Sequence, residues 1–396
     1  MLDAILSAPV FLAAFVFVIS IVVVFHELGH YWVGRWCGAK AEAFSLGFGP
    51  RLAGWTDRHG TEWQIAAFPV GGYVRFVGDA DASSAPDPQE LEALRRKLVA
   101  ERGPDATRGV FHFLPVWRRA LIVAAGPVAN FILAIIIFTL LFSIFGAQTQ
   151  PPVIGGVEAD SPAEAAGLME GDRIVSIGGR RVASFGDLSN IVMLSAGETM
   201  PVVVERGGDT VTLTATPARM TREDPIGGDM DVGFLGVRSN GETQTQRYNP
   251  AEAVVMGANQ TWGVVASTGR YLGRVIAGKE SAEMLGGPVR IATYSGRLAI
   301  DSFEGEASFG EKLRAALVRL ISLAGVLSVG LGLINLAPIP VLDGGHLLYY
   351  GFEAASGRPL SERAQAFGFK AGLALVAGLM LFATWNDLNY LRGLFS

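Results

Sequence analysis

Apolar positions along this chain follow two regimes. In four stretches they are nearly continuous: about Pro9 to Tyr31, Ala120 to Phe145, Ala315 to Leu336 and Gly368 to Thr384. A helix that crosses a bilayer needs about 20 predominantly apolar residues, so these stretches predict four membrane spans, the fourth being the shortest. Elsewhere apolar residues alternate with polar ones or are punctuated by glycine. From about Glu42 to Gly78 the chain is rich in Gly, aromatic and β-branched residues, which predicts short strands and hairpins. Non-helical backbone beside a membrane is tolerated only where it lines a protected cavity. This region is therefore expected to be a membrane-associated β-hairpin sheet. Its edge, from Gly71 and Gly72 through Tyr73 and Val74, could pair with an extended peptide; a purely interfacial scaffold is the alternative.

The remaining segments are polar or mixed. Asp79 to Arg108 reads as a solvated excursion, with a charged helix over Pro88 to Arg102. Pro151 to Arg219 becomes soluble in character. There Ser161-Pro162-Ala163-Glu164-Ala165-Ala166-Gly167-Leu168 precedes Gly171-Asp172-Arg173-Ile174-Val175, a short helix, a tight turn and a strand in the manner of a PDZ domain. Such folds capture peptide tails by adding a strand to a sheet edge, and Gly233-Phe234-Leu235-Gly236-Val237 is a candidate carboxylate-facing loop of a permuted version. A steric filter is the other reading of this domain. Asn249 to Ile300 predicts amphipathic helices on the membrane surface.

Composition supports this division. The chain has 396 residues, half of them hydrophobic and only 17% charged, with a mean hydropathy of +0.36. That is too apolar for an ordinary soluble protein. A net charge of −5 argues against nucleic acid as a partner. The single cysteine, Cys37, excludes an intramolecular disulfide. Met1 to Val10 carries no Lys or Arg, and the first apolar run ends in His-Glu rather than in small residues, so it reads as a retained span rather than a signal peptide. Arg35 and Lys40 follow that span, and Arg118 and Arg119 precede the second, whereas Gly146 to Gly156 carries no basic residue. The positive-inside rule then puts the loop between spans one and two in the cytoplasm and the PDZ-like domain outside; Arg314 and Arg319 pull mildly the other way.

The chemistry sits where the first span ends. Phe25-His26-Glu27-Leu28-Gly29-His30 contains His-Glu-x-x-His. On a helix, His26 and His30 share a face and can hold one metal ion, with Glu27 beside it as a proton acceptor. Two histidines and a glutamate in an apolar run are costly without such a purpose, and the chain has only five histidines. A third ligand is available after span three, in Asn335-Leu336-Ala337-Pro338-Ile339-Pro340-Val341-Leu342-Asp343-Gly344-Gly345-His346. Asp343 would complete two His and one carboxylate with an open position, the pattern of a catalytic zinc, and His346 is a rival ligand. Asn335 could hydrogen-bond a substrate backbone. Within span two, Gly126, Pro127 and Asn130 are either helix–helix packing groups or polar neighbours of the site.

In combination these motifs resemble the site-2 proteases, intramembrane zinc metalloproteases, and within them the bacterial group that includes the regulator of sigma-E protease. The likeness rests on His26 to His30, the Gly47-Phe48-Gly49 turn, Gly126-Pro127-Val128-Ala129-Asn130, the inserted PDZ-like domain and Asn335 to Gly344. It implies Zn²⁺ held by His26, His30 and Asp343, Glu27 as catalytic base, and Asn335, Pro338 and Pro340 as substrate-positioning residues. It also implies substrates that are single-span membrane proteins, such as an anti-sigma factor or signal-peptide remnants, cut within the bilayer of the bacterial inner membrane in regulated intramembrane proteolysis. The best-known sigma-E members carry two tandem PDZ domains, whereas one is legible here. A non-catalytic scaffold would lack Glu27, and a metal transporter would spread ionisable residues through several spans rather than cluster them.

The expected fold is thus a membrane α-helical protein of about four transmembrane helices, with a membrane-associated β-hairpin sheet and an inserted PDZ-like α+β domain. The expected order is a first span with the His-Glu-x-x-His motif in 1–40, a β region in 41–80, a cytoplasmic loop in 81–115 and a second span in 116–146. The PDZ-like domain follows in 150–220, then a linker with surface helices in 221–312. A third span carrying the Asn-to-Gly motif occupies 313–346, and a fourth 366–390.

Overall fold

The computed structural model describes residues 2–78, 88–103, 107, 109–193, 195–223, 229–277 and 286–395. The polar stretch expected over 79–87 lies outside them. Two compact units divide the chain, Met1–Thr139 with Val254–Gly269 and Ala282–Ser396, and Leu140–Ala253 with Arg270–Ser281.

In the first unit, helix α1 (Leu2–Trp36) leads into two long antiparallel strands, β1 (Ala41–Thr56) and β2 (Glu62–Phe76). Both strands bend, β1 near Gly47 and Gly49, where φ is +90° and +89°. A Cβ on Gly47 would also press on the Phe68 carbonyl, so glycine suits this crossing in both respects. The bends let one hairpin act as four strands. Phe44 pairs with both Val74 and Trp63, Leu46 with both Gly72 and Ile65, and Trp55 with Trp63 from the far side. The local order is therefore 51–56, 62–66, 41–46, 72–76, and among the described residues the last segment is an edge. The turn at 57–61 is tied by Asp57, whose Oδ1 accepts from the His59 and Thr61 amides and whose Oδ2 accepts from Trp63 Nε1 and from Tyr31 of α1. Phe48, Leu52, Trp55, Ile65 and Phe68 remain exposed on the hairpin.

Helix α2 (Pro88–Arg102) matches the charged helix read from the sequence. Helix α3 (Val116–Phe145) runs unbroken through Gly126-Pro127.

The second unit begins with β3 (Ala147–Thr149), β4 (Ile154–Val157), α4 (Pro162–Ala165), β5 (Arg173–Ile177), β6 (Arg180–Arg181), α5 (Phe185–Met193), β7 (Met200–Arg206) and β8 (Asp209–Ala215). It continues with β9 (Ala218–Glu223), β10 (Asp229–Phe234), β11 (Val237–Ser239) and β12 (Gln244–Gln246). Strands β6-β5-β7-β8 form one antiparallel sheet, β11 pairs with β4, and β12 with β3. Its core gathers Ile154, Ile174, Ile177, Leu188, Val202, Val204 and Leu235. The boundary expected at 220 therefore falls short. Leu235 fills the core and β11 and β12 close on the first strands, so the domain does not end where the alternating pattern weakens.

Helix α6 (Pro250–Ile276) follows, then α7 (Pro288–Asp301), α8 (Phe309–Asn335), α9 (Asp343–Ser356) and α10 (Glu362–Phe395). Two features differ from the sequence expectation. Helix α7 is not a surface helix: Thr293, Ser295, Gly296 and Ala299 are buried, and Gly296 meets Phe11 of α1 with no room for a Cβ. Its N-terminus is capped across the fold by Asp387 of α10, which accepts from the Gly287, Val289 and Arg290 amides at 2.9, 3.0 and 3.1 Å. The stretch 313–346 is not one helix either. A Ser308–Glu311 capping box starts α8, Pro338 and Pro340 prevent its continuation past Asn335, and α9 begins afresh at Asp343. Among the described residues, four helices are long and apolar enough to cross a membrane: Ala8–Trp36, Val116–Phe145, Phe309–Asn335 and Glu362–Asn389.

Candidate metal centre

His26 and His30 lie one turn apart on α1, with rings edge to face and centroids 4.8 Å apart. Space for the rings comes from α3. A Cβ on Gly126 would land on the His30 and His26 imidazoles, so only glycine lets α3 pass there. Asp343 reaches them from the first turn of α9. Gly344 and Gly345 bring this about, because their backbones rest against the carbonyls of Leu336, Ala337 and Ile339, where any side chain would clash. The 336–342 connection thereby folds back and returns the aspartate to the end of α8.

Three atoms converge. His26 Nε2 and His30 Nε2 lie 3.2 Å apart, and Asp343 Oδ2 lies 3.3 Å from the first and 3.5 Å from the second. Asp343 Oδ2 is buried and has no hydrogen-bond partner. Ligands about 2.0–2.1 Å from a tetrahedral zinc stand about 3.4 Å from one another, so this triangle has the size of one face of such a site. Together with the orphaned carboxylate oxygen, that match makes the residues fit a zinc ion. His30 Nδ1 is 2.8 Å from the Ile122 carbonyl, which fixes its proton there and leaves Nε2 with a lone pair for metal.

The other candidate residues are placed as follows. Glu27 lies beside the triangle, its carboxylate hydrogen-bonded by the Val74 backbone and its Cγ close to Gly72. The edge segment 72–76 therefore runs along the proposed base. Gly71 packs on the Phe48 ring. The Tyr73 side chain is engaged within the hairpin, its hydroxyl accepting from Gln64 Nε2 at 2.7 Å and its ring stacked on Phe48. Asn335 Nδ2 sits 3.3 Å from His26 Nε2, at the border of the triangle. Pro338 is exposed, and Pro340 is turned toward α10, where Gly372 meets its carbonyl and Gly368 its ring. His346 is not in the cluster; its ring lies edge-on to Tyr349 at 6.1 Å. One contributor, the Ile122 carbonyl, has no sequence signal, and Asn130 is one for which the sequence allows either a packing role or a place beside the site. Asn130 proves fully buried, with Nδ2 3.2 Å from His26 Nδ1.

Two histidines on a helix long enough to span a bilayer, an aspartate brought to them by the short helix α9, and a neighbouring glutamate form the donor set of a metallohydrolase in an apolar helical protein. The sequence profile of Peptidase family M50 matches residues 14–379. A relative named Metalloprotease MmpA, from Caulobacter vibrioides, is 44% identical over 98% of this chain and 99% of its own. Two provisionally named zinc metalloproteases stand equally near. That of Rhizobium meliloti is 44% identical over 96% of each chain, and that of Mesorhizobium japonicum 45% identical over 95% of this chain and 98% of its own. The chain belongs to Peptidase family M50, the site-2 protease family, and is a zinc metalloprotease. The PDZ domain of an SdrC-like protein from Listeria monocytogenes aligns with 24% of this chain and 90% of its own at 18% identity, with a TM-score of 0.19, too slight a likeness to bear on the fold.

Proposed function

We propose that this protein hydrolyses peptide bonds within the membrane-spanning segments of single-span membrane proteins, with zinc held by His26, His30 and Asp343. The observation that carries the reading is the convergence of the three ligand atoms beside Glu27 inside an apolar helix pair, with a sheet edge running past them. Bound zinc supplies Lewis acidity toward water and the scissile carbonyl. Glu27 takes a proton from the attacking water and returns it to the leaving amine. A helical substrate hides its carbonyls in its own hydrogen bonds, so it must unwind to be cut. The edge 72–76 offers main-chain partners to the unwound segment, through Gly72, Tyr73 and Val74. Asn335, at the border of the triangle, is positioned to donate to a substrate carbonyl. Pro338 and Pro340 keep the 336–342 connection open as a substrate wall.

The second unit serves as a PDZ-like domain that binds peptide tails or screens substrates by size. The basic residues flanking spans one and two support an orientation with the metal centre near the cytoplasmic face of a bacterial inner membrane and the PDZ-like domain on the periplasmic side. Anti-sigma factors and signal-peptide remnants are substrates of the expected kind. The exposed Phe48, Leu52, Trp55, Ile65 and Phe68 support a hairpin that dips into lipid.

Substitution of the base tests the mechanism. Glu27→Gln should bind zinc as the parent does while turnover of a single-span reporter in vesicles falls by at least about 100-fold. Undiminished turnover in that variant would remove Glu27 from the chemistry. Membrane proteomics of cells carrying the same variant would identify substrates as single-span proteins that accumulate.

A further inference from the structure

Helices α1 and α3 meet in opposite directions with matched four-residue steps. His30 faces the Ile122 carbonyl, Gly126 lies against both imidazoles, and His26 faces Asn130. The histidines use Nε2 toward the shared point, so each must carry its remaining ring proton on Nδ1 to keep a lone pair for metal. For His30 the acceptor is the Ile122 carbonyl at 2.8 Å. For His26 the group in reach is the Asn130 amide at 3.2 Å. It presents its nitrogen there, while its oxygen is buried with no partner. Two N–H groups cannot bond each other. A half-turn of the amide about Cβ–Cγ brings Oδ1 to the imidazole and makes it an acceptor for Nδ1–H. The Asn130 side chain is confined for this, being 0% exposed, and its backbone is tied to α8, where Ser328 Oγ donates to the Asn130 main-chain carbonyl at 2.9 Å.

We infer that Asn130 is the positioning residue of the metal centre, accepting the His26 Nδ1 proton so that Nε2 is oriented and basic toward zinc. Gly126 and Asn130 are then one device, the glycine making room for the rings and the amide fixing one of them. This deepens the proposed function and rests on His26 being a ligand.

The test is zinc affinity of the full chain in detergent, read by competition with a chromophoric chelator, without any substrate. Asn130→Leu, close in size but without an acceptor, should bind zinc about 10–100-fold more weakly than the parent. Asn130→Asp, which restores an acceptor oxygen, should stay within about 3-fold of the parent, as expected for a carboxylate behind a metal-bound histidine. Parent-like affinity in the leucine variant, or equal loss in both variants, would overturn the inference. Should leucine prevent folding, as thermal melting would reveal, Asn130→Ala takes its place with the same expectation. His26→Ala separates the two ideas. If it binds zinc like the parent, the ligand assignment itself fails; if it loses zinc while Asn130→Leu does not, only the positioning role fails.

Discussion

Asp343 and Asp172 are both carboxylates removed from water, one in each compact unit, and they are treated in opposite ways. Asp172 is 1% exposed and fully paired. Arg206 donates to both of its oxygens at 2.7 Å, the Met169 amide donates at 2.9 Å, and the same guanidinium reaches the Gly167 carbonyl. Arg206 thereby holds the Asp172 carboxyl below its ordinary range. At Asp343 the buried oxygen has no donor and faces two imidazole nitrogens instead. A buried anion with all lone pairs satisfied closes a structure; one left open toward other lone pairs needs a cation. The aspartate of Gly171-Asp172-Arg173 is thus a lock of the β-rich unit, and the aspartate of Leu342-Asp343-Gly344 is the proposed third metal ligand.

The sharpest break of this contrast is removal of each carboxylate in turn. Asp343→Ala should abolish proteolysis to background and leave the purified protein without stoichiometric zinc, by elemental analysis, yet keep the fold, since no donor loses its partner. Gly126→Ala comes next: a methyl driven into both imidazoles should lower zinc affinity by about 10-fold or more in chelator competition while Asp172 and its unit are untouched. Asp172→Asn should act the other way round. Zinc content stays at the parent level, and amides of β5 and β7 lose about 2 kcal/mol of hydrogen-exchange protection, because hydrogen bonds to a charged partner are weakened. The smallest effect concerns pH. A folded carboxyl held below its unfolded value stabilises the fold fully above that unfolded value and ceases to as pH falls through the depressed one. Exchange protection of β5 and β7 should therefore be flat near neutrality and decline below about pH 4, more steeply in the parent than in Asp172→Asn.

Much of this was legible in the sequence where one residue type has one physical reading. Uninterrupted apolar runs mark the four helices long enough to span, and His26, Glu27 and His30 at helical spacing mark the proposed ligand pair and the neighbouring acid. Asp343 was legible as a candidate with His346 as a rival. Their separation needed the backbone, since Gly344 and Gly345 fold the connection so that the first residue of α9 points back while His346 lies further along the helix. The burial of α7 was illegible because its inward face consists of Thr293, Ser295, Gly296 and Ala299, small residues that read as surface. Asp387 in an apolar helix signals a buried partner, but which one depends on a contact 100 residues away in the chain. The second unit ran past 220 for a similar reason: β11 and β12 are only three residues each, too short to carry a periodic pattern.

Zinc K-edge X-ray absorption of the purified full chain, compared with Asp343→Asn, reads the proposed ligand set itself. The expected spectrum has a first shell of two imidazole nitrogens and carboxylate oxygen with no sulfur, disrupted in the variant. A third imidazole in that shell, or a spectrum indifferent to the loss of the Asp343 carboxylate, would contradict it.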